Sequence, residues 1–355
     1  MFIADLVLSV FLLALFMAVF SGPVADLAYR LSDNYYISRL VYGLLFLGYL
    51  YLLSLPLSFY STYVVEHRYG LSTQDVRGWM ADKARSGALS TALSLACLIG
   101  FYFFLRNFPD TWWLIAGAAW IFFSVILARM LPVLIIPLFY EYLPVEDPVL
   151  KERILEMARN AGLRVIDVYR INMSSRTRKA NAALAGLGST KRVVLADTLV
   201  DGFDREEVLN VVAHEFGHSR FAHIWKLISF SAAVTVCGFF LIDLAAEGMV
   251  SVSGASGLTD VYLLPLLVLL SSLFGLVILP LQNWFSRYLE VQADRFALDT
   301  ARSPGKFISC MDKLAGMNLA ERTPSRWKKV FLYDHPPVGE RIAMGRERLR
   351  TGPSS

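Results

Sequence analysis

Apolar residues in this chain come in blocks rather than at the spacing of an amphipathic helix. Nearly unbroken apolar runs cover residues 2–20, 40–60, 88–105, 112–131, 224–246 and 261–285. A bilayer core takes about 20 consecutive apolar residues per helix, so each run predicts a membrane helix. Asp5 interrupts the first run, and Arg129 sits near the end of the fourth. The first run has neither the positively charged lead nor the small-residue cleavage site of a signal peptide, and reads as a retained helix.

Between the fourth and fifth runs the pattern changes. Residues 148–161 show helical spacing and stop before Gly162, a suitable terminator. Residues 164–171 and 192–196 are rich in Val, Ile and Tyr and read as short strands, with the small, glycine-containing stretch 181–187 as a further candidate. Asp204-Arg205-Glu206-Glu207 has the form of a capping box. It opens a helix through Val208, Val211, Val212 and His218. The expected fold is mainly α: a multi-pass membrane protein with about six transmembrane helices and a small cytoplasmic α+β domain. Four parts follow: an N-terminal membrane domain over 1–137, an α+β catalytic domain over 138–223, a transmembrane hairpin over 224–285, and a cytoplasmic C-terminal part over 286–355. The order of strands in the sheet does not follow from the pattern.

Composition agrees with a membrane protein, with 55% hydrophobic and only 18% charged residues, against about 25% charged in soluble domains. The placement of charge adds orientation. Residues 141–226 and the tail after Arg287 hold most of the Lys and Arg, and Arg68, Arg77, Lys83 and Arg85 cluster between the second and third runs. The 243–260 connection instead carries Asp243, Glu247 and Asp260 with no Lys or Arg. By the positive-inside rule, the polar domain and both termini face the cytoplasm, from a cell (inner) membrane. No aromatic-basic pattern argues for nucleic acid. Cys97, Cys237 and Cys310 form no C-x-x-C pair and imply no disulfide; they read as buried small apolar residues.

The candidate chemistry lies at His214-Glu215-Phe216-Gly217-His218. Histidines four apart on a helix share a face and can present two imidazoles to one metal, while Glu215 points to the adjoining sector where an attacking water would sit. The motif alone is weak, since chance supplies a match in roughly one chain of this length in a hundred. Its apolar lead, Val211-Val212-Ala213, argues against a pair of surface histidines. A catalytic zinc needs a third protein ligand and an open fourth position. The position six residues after His218 is Ile224, which excludes a third histidine there. On a continuous helix His223 lies about 140° around from His218 and fits a supporting or surface role better. A helix over 284–300 offers Glu290 and Asp294 one turn apart: Glu290 to bind zinc, Asp294 to hydrogen-bond the far nitrogen of a ligand imidazole. The other reading of these acids is a solvated face paired with Arg287 and Arg295. Position favours the ligand reading, because His218 and Glu290 each lie about 10 Å from the same membrane face.

Several further stretches carry a resemblance. Ser286-Arg287 leads into Glu290-Val291-Gln292-Ala293-Asp294. Asn181-Ala182 and Gly186 precede Lys191-Arg192-Val193-Val194-Leu195 and Asp197-Thr198-Leu199. His335-Pro336-Pro337 is followed by Glu340-Arg341, and the stretch from Leu55-Pro56-Leu57 through Glu66 is followed by Gly70. Together these resemble the integral-membrane CAAX prenyl protease family of zinc metallopeptidases, over nearly the whole chain from about Leu40. The resemblance implies one Zn2+ per chain on His214, His218 and Glu290, with Glu215 as base. It also implies His335 facing the reacting carbonyl, Asn181 in a substrate-binding edge strand, and Asp294 and Arg341 as supporting groups. This chain lacks the seventh membrane helix and the long insertion of the family's eukaryotic members, and has Ala183 where an aromatic is usual after Asn-Ala. It resembles a compact prokaryotic member, for which a prenylated substrate is not implied.

The expected activity is metalloendopeptidase hydrolysis of a peptide or protein substrate, membrane-associated or lipidated, with the lipid bilayer as the other partner. Glu215 would take the proton of the attacking water, His335 would donate to the oxyanion, and a peptide would add as a strand along 181–187. Two alternatives differ in kind. One is a membrane-protein quality-control zinc protease, against which the four upstream helices and the Leu55–Gly70 stretch argue. The other is a non-catalytic zinc-binding scaffold or transporter, for which a site closed by four ligands would be expected.

Overall fold

The computed structural model describes residues 2–352. Four long helices come first: α1 (Phe2–Leu31), α2 (Tyr35–Arg68), α3 (Val76–Asn107) and α4 (Trp112–Phe139). Asn34 caps α2, its Oδ1 accepting from the amides of Tyr36 and Ile37, and Asp75 caps α3 through Gly78. Capping groups outside the apolar runs explain why these helices outrun the spans read from hydropathy. Wide π-type turns interrupt α1 at Phe16–Phe20 and α4 at Leu131–Ile135. Each contains the carbonyl that a proline ring would displace, Val19 before Pro23 and Val133 before Pro137.

A polar region follows: strand β1 (Tyr142–Pro144), α5 (Pro148–Asn160), β2 (Val168–Ile171), β3 (Ala182–Ala185), β4 (Arg192–Ala196), then α6 (Asp197–Gly202) and α7 (Arg205–Arg220). The long helices α8 (His223–Ser253) and α9 (Leu264–Ala301) come next. The chain ends with α10 (Pro304–Met317), α11 (Arg326–Leu332) and α12 (Val338–Thr351). Among the described residues, six helices are long and apolar enough to cross a membrane, as the hydropathy pattern predicts.

The chain forms two compact units. One holds the chain up to Glu66, Asp75–Phe122 and Phe230–Val277. Its core gathers Phe16, Tyr42, Phe46, Tyr102 and Trp112, where the Trp112 indole donates to Asp243 at 2.6 Å. Large apolar side chains such as Leu52, Phe122 and Leu244 stand on its outside, as lipid-facing residues do. A cavity of about 830 Å3 within this unit is lined in part by Ser54, Ser58, Ser86, Ser90 and Lys83. Ser54 and Ser86 turn their hydroxyls back onto carbonyls of their own helices, which satisfies them without water. Cys97 and Cys237 are exposed rather than buried, because a membrane helix can spend small apolar residues on its lipid face. Only Cys310 is buried, and burial pushes its thiol up to about 12.

The other unit holds His67–Gln74, Phe123–Ser229 and the chain from Ile278 on. Its sheet runs β1-β2-β4-β3, with β2 and β4 parallel and the outer pairs antiparallel. The strand expected over 164–171 is therefore only its second half, and β1 was not legible. Three residues ending in a proline give no alternation to read. Ile154 and Ala158 of α5, Leu195 of β4, Val212 and Phe216 of α7 and Phe307 of α10 form one buried core. The sheet presents β3 as a free edge.

Candidate metal centre

The capping box forms as the sequence predicts: Asp204 Oδ1 accepts from the Glu207 amide, and Glu207 Oε2 accepts from the Asp204 amide, each at 3.0 Å. From this start α7 buries Val208, Val212 and Phe216, which fixes the rotation of the helix and hence the face that carries His214 and His218. That face meets α9. At Gly217 a Cβ would lie 2.9 Å from Ala293 Cα and 3.2 Å from its carbonyl oxygen. The glycine thus lets the two backbones approach within side-chain reach, and Ala293 lies between Glu290 and Asp294.

Three side chains converge there. His214 Nε2 and His218 Nε2 are 3.1 Å apart, His214 Nε2 is 3.2 Å from Glu290 Oε2, and His218 Nε2 is 3.2 Å from Glu290 Oε1. Two imidazoles and a carboxylate suit zinc, and bonds of about 2.0–2.1 Å in a tetrahedral site set ligand atoms about 3.3 Å apart. The observed edges therefore fit such an ion. Glu290 is buried, and its Oε2 lies 3.2 Å from His214 Nε2 and 2.7 Å from His335 Nδ1. Burial lowers the pKa of His214, but its bonds to Asp294 and Glu290 carry it up to about 9. The carboxylates make this a pocket that favours positive charge.

Around the donors, each imidazole is held from behind. His214 Nδ1 meets Asp294 Oδ1 at 2.8 Å. Asp294 is fully buried and is gripped by Arg341 of α12, Nε to Oδ2 at 2.8 Å and Nη2 to Oδ1 at 2.5 Å. His218 Nδ1 lies 3.0 Å from His223 Nδ1, and His223 Nε2 lies 3.1 Å from Gln292 Oε1. The structure thus settles the place of His223, which sequence spacing left between a supporting and a surface role. The 140° argument assumed a continuous helix, but Ala222 at φ 54° breaks the phase between α7 and α8 and returns the ring to His218. Gln292 carried no role on spacing alone.

An open cavity of about 430 Å3 adjoins the donors, lined by Asn181, His214, Glu215, Tyr333, His335 and Arg341 among others. Glu215 has no hydrogen-bond or ion-pair partner among the described residues, so its carboxylate stands unengaged at the cavity wall. His335 does not stand clear of the candidate ligands: its Nδ1 lies 2.7 Å from Glu290 Oε2, a bond that raises its pKa against the opposing effect of burial. Asn181 falls one residue before the edge strand β3 begins. Its carbonyl accepts from the Ala196 amide and its Oδ1 from the Ala182 amide, which fixes the strand's entry.

Comparison with known proteins agrees with this geometry. The model of peptidase family M48 matches residues 144–349, and the model described as CAAX prenyl protease N-terminal, five membrane helices, matches residues 1–141. Four of the membrane-length helices fall in that second stretch here. An uncharacterized metalloprotease of Bacillus subtilis, YhfN, is 32% identical over 295 residues, covering 82% of this chain and 69% of the relative. CAAX prenyl protease 1 of Saccharomyces cerevisiae is 30% identical over 330 residues, covering 86% and 72%. The crystal structure of Ste24p from S. mikatae superposes with a TM-score of 0.80 at 26% identity, covering 91% of this chain and 80% of that one. The chain belongs to peptidase family M48 and is an integral-membrane metalloprotease of the CAAX prenyl protease family.

Proposed function

We propose that the protein is a zinc metalloendopeptidase holding one Zn2+ per chain between His214, His218 and Glu290. The observation that supports this most is the convergence of three side chains, their nitrogens and carboxylate oxygens 3.1–3.2 Å from one another in pairs, beside an open cavity. Held by His214, His218 and Glu290, zinc would supply Lewis acidity toward a scissile carbonyl and toward water. Glu215, unengaged at the cavity wall, takes the proton of the attacking water and hands it to the leaving amine. Asp294, clamped by Arg341, keeps His214 in the tautomer that leaves Nε2 free to bind. His335 is held through Nδ1 to Glu290, which raises its pKa, and as an imidazolium it donates from Nε2 to the developing oxyanion, a contribution of about 3 kcal/mol for donors of this kind.

The substrate peptide adds along the free edge of β3 from Asn181, where backbone hydrogen bonds hold it with little regard to side chain. The membrane portion comes from the first 137 residues and 224–285, and the catalytic portion from 138–223 and 286–355. The Lys and Arg placement supports a cell (inner) membrane location with the catalytic portion and both termini on the cytoplasmic side. Glu290, borne on the membrane-length helix α9, and His218, a few residues ahead of α8, favour membrane-associated peptides, of the CAAX type named for the relatives.

The test pairs metal content with hydrolysis in purified, detergent-solubilised protein. Glu215→Gln should keep its zinc and lose cleavage of a peptide, whereas Glu290→Ala should lose both. Equal cleavage by Glu215→Gln and wild type would sink the mechanism. A farnesylated peptide run against its unmodified twin and a misfolded membrane protein then separates CAAX-type processing from quality control.

A further inference from the structure

Helix α11 (Arg326–Leu332) is short, basic and aromatic, and its apolar side chains do not enter the core. Trp327 is 51% exposed, and Phe331 and Leu332 are each 38% exposed. Trp327 and Phe331 are four apart and so share one face. What fixes the helix is the end of the α9 span. Asn283 Nδ2 donates to the Val330 carbonyl at 3.2 Å, and Arg287 Nη1 donates to the carbonyls of Lys329 at 2.8 Å and Tyr333 at 2.5 Å.

The level of those anchors in a bilayer can be read from α9. From Val261 to Ser286 there is no charged residue, and Arg287 is the first. That stretch rises about 39 Å, against a hydrocarbon core of about 30 Å, so the helix leaves the core just before Arg287. Trp284 and Tyr288 stand there, stacked on each other, 59% and 53% exposed, the composition and position of an interfacial aromatic belt. Asn283 and Arg287 occupy the neighbouring row of the same two turns. Helix α11 therefore hangs at the depth of the aromatic belt.

We infer that α11 is an interfacial membrane anchor, seated in the headgroup layer of the leaflet from which α9 emerges, with Trp327 and Phe331 at the acyl boundary. Its charges suit an anionic surface only in part. Lys328 pairs with Glu321 at 2.7 Å and Lys329 with Glu340 at 2.5 Å, while Arg326 has no ion-pair partner among the described residues. The aromatic pair supplies most of the attraction, with Arg326 directed to anionic lipid phosphates. The anchor has a consequence for the site. Helix α11 runs directly into Tyr333, Asp334 and His335, which line the cavity, so the lipid surface holds the loop that carries His335. This rests on α9 crossing the membrane and not on the assignment of zinc or of a base.

Depth, not hydrolysis, is the readout. A Trp327→Cys variant in a Cys97→Ser, Cys237→Ser background is labelled with an environment-sensitive nitrobenzoxadiazole dye. The full chain is placed in nanodiscs of phosphatidylcholine and phosphatidylglycerol. Lipids with a nitroxide near the headgroup should quench the dye about threefold more than lipids labelled at the chain terminus, and aqueous iodide should reach it weakly. Phe331→Cys, labelled in the same way, repeats the measurement with Trp327 in place and should agree. A dye that iodide quenches as it does free dye, and that neither lipid quenches, overturns the anchor.

Discussion

Gly217→Ala tests the close approach on which the metal site depends. The added Cβ would lie 2.9 Å from Ala293 Cα, 3.2 Å from its carbonyl oxygen and 3.3 Å from its Cβ. Optimal carbon contacts are about 3.5–4.0 Å, so α7 and α9 must separate by about 0.6–1 Å. No rotamer change relieves it, because the nearest atoms belong to the backbone. The 3.2 Å edges from Glu290 to both imidazoles would open to about 4 Å, well beyond the ~0.2 Å tolerance of a metal bond. Overpacking should lower stability by about 1–3 kcal/mol, and zinc affinity should fall at least about 10-fold, the lower end for losses of supporting groups around a metal. The assay is zinc retention against a graded chelator, read by elemental analysis, alongside thermal unfolding of the zinc-free protein. Gly87→Ala is the control. Its Cβ would strike the Tyr51 ring at 2.7 Å within the membrane unit, so it should lower the melting temperature and leave zinc retention alone. If Gly217→Ala gives up zinc at the wild-type chelator concentration, the close approach does not set the site and the argument from Gly217 is wrong.

Three further outcomes are expected. Arg341→Lys keeps the charge but loses the two-pronged grip on Asp294, so zinc affinity should drop about 10- to 100-fold; an unchanged chelator midpoint would deny the clamp any role. His223→Ala leaves His218 Nδ1 without its 3.0 Å partner and should weaken zinc retention by a similar order, an effect checked by the same competition and absent if His223 merely fills space. Glu207→Gln isolates the ion pair between buried Glu207 and exposed Lys313, since Gln can still serve the capping box. Burial pushes the Glu207 carboxyl up, yet Lys313, Ser309 and the Asp204 amide together hold it below the ordinary range. A depressed carboxylate stabilises the fold fully above its unfolded pKa of about 4.3. That stabilisation is lost as pH falls through the folded value. Wild type should therefore melt above Glu207→Gln at neutral pH and converge with it in acid; a gap that persists in acid would refute the linkage.

Much of the fold was legible because a bilayer simplifies the code. Runs such as 112–131 and 261–285 need no periodicity to be read, only length and the absence of charge. The capping box at Asp204 was equally plain, because both of its bonds are local. What hydropathy could not supply was where helices stop. Helix α2 extends to Arg68 and α3 starts at Val76, well outside the apolar runs, because caps and packing rather than lipid set those ends. Strand β1 and helix α12 were missed for a related reason. Their pairing partners lie far off in sequence, Val168–Ile171 for the strand and the α+β core for Ile342 of the helix.

The candidate site divides along the same line. His214, His218, Glu290 and Asp294 each lie one helical turn from a partner, so spacing alone put each pair on one face, and the structure brings the two faces together. Arg341 and Asn181 came only through resemblance, since nothing local ties either to a metal. His223 shows the limit most clearly. Its spacing from His218 is off-phase for a helix, and that would dismiss it had the chain not turned at Ala222, a non-glycine residue at φ 54°. A bend of that kind leaves no periodic trace. A histidine five residues past an H-E-x-x-H motif, just before a membrane span, should thus be weighed for support of the second histidine, because the turn between the two helices can reverse the phase that spacing assumes.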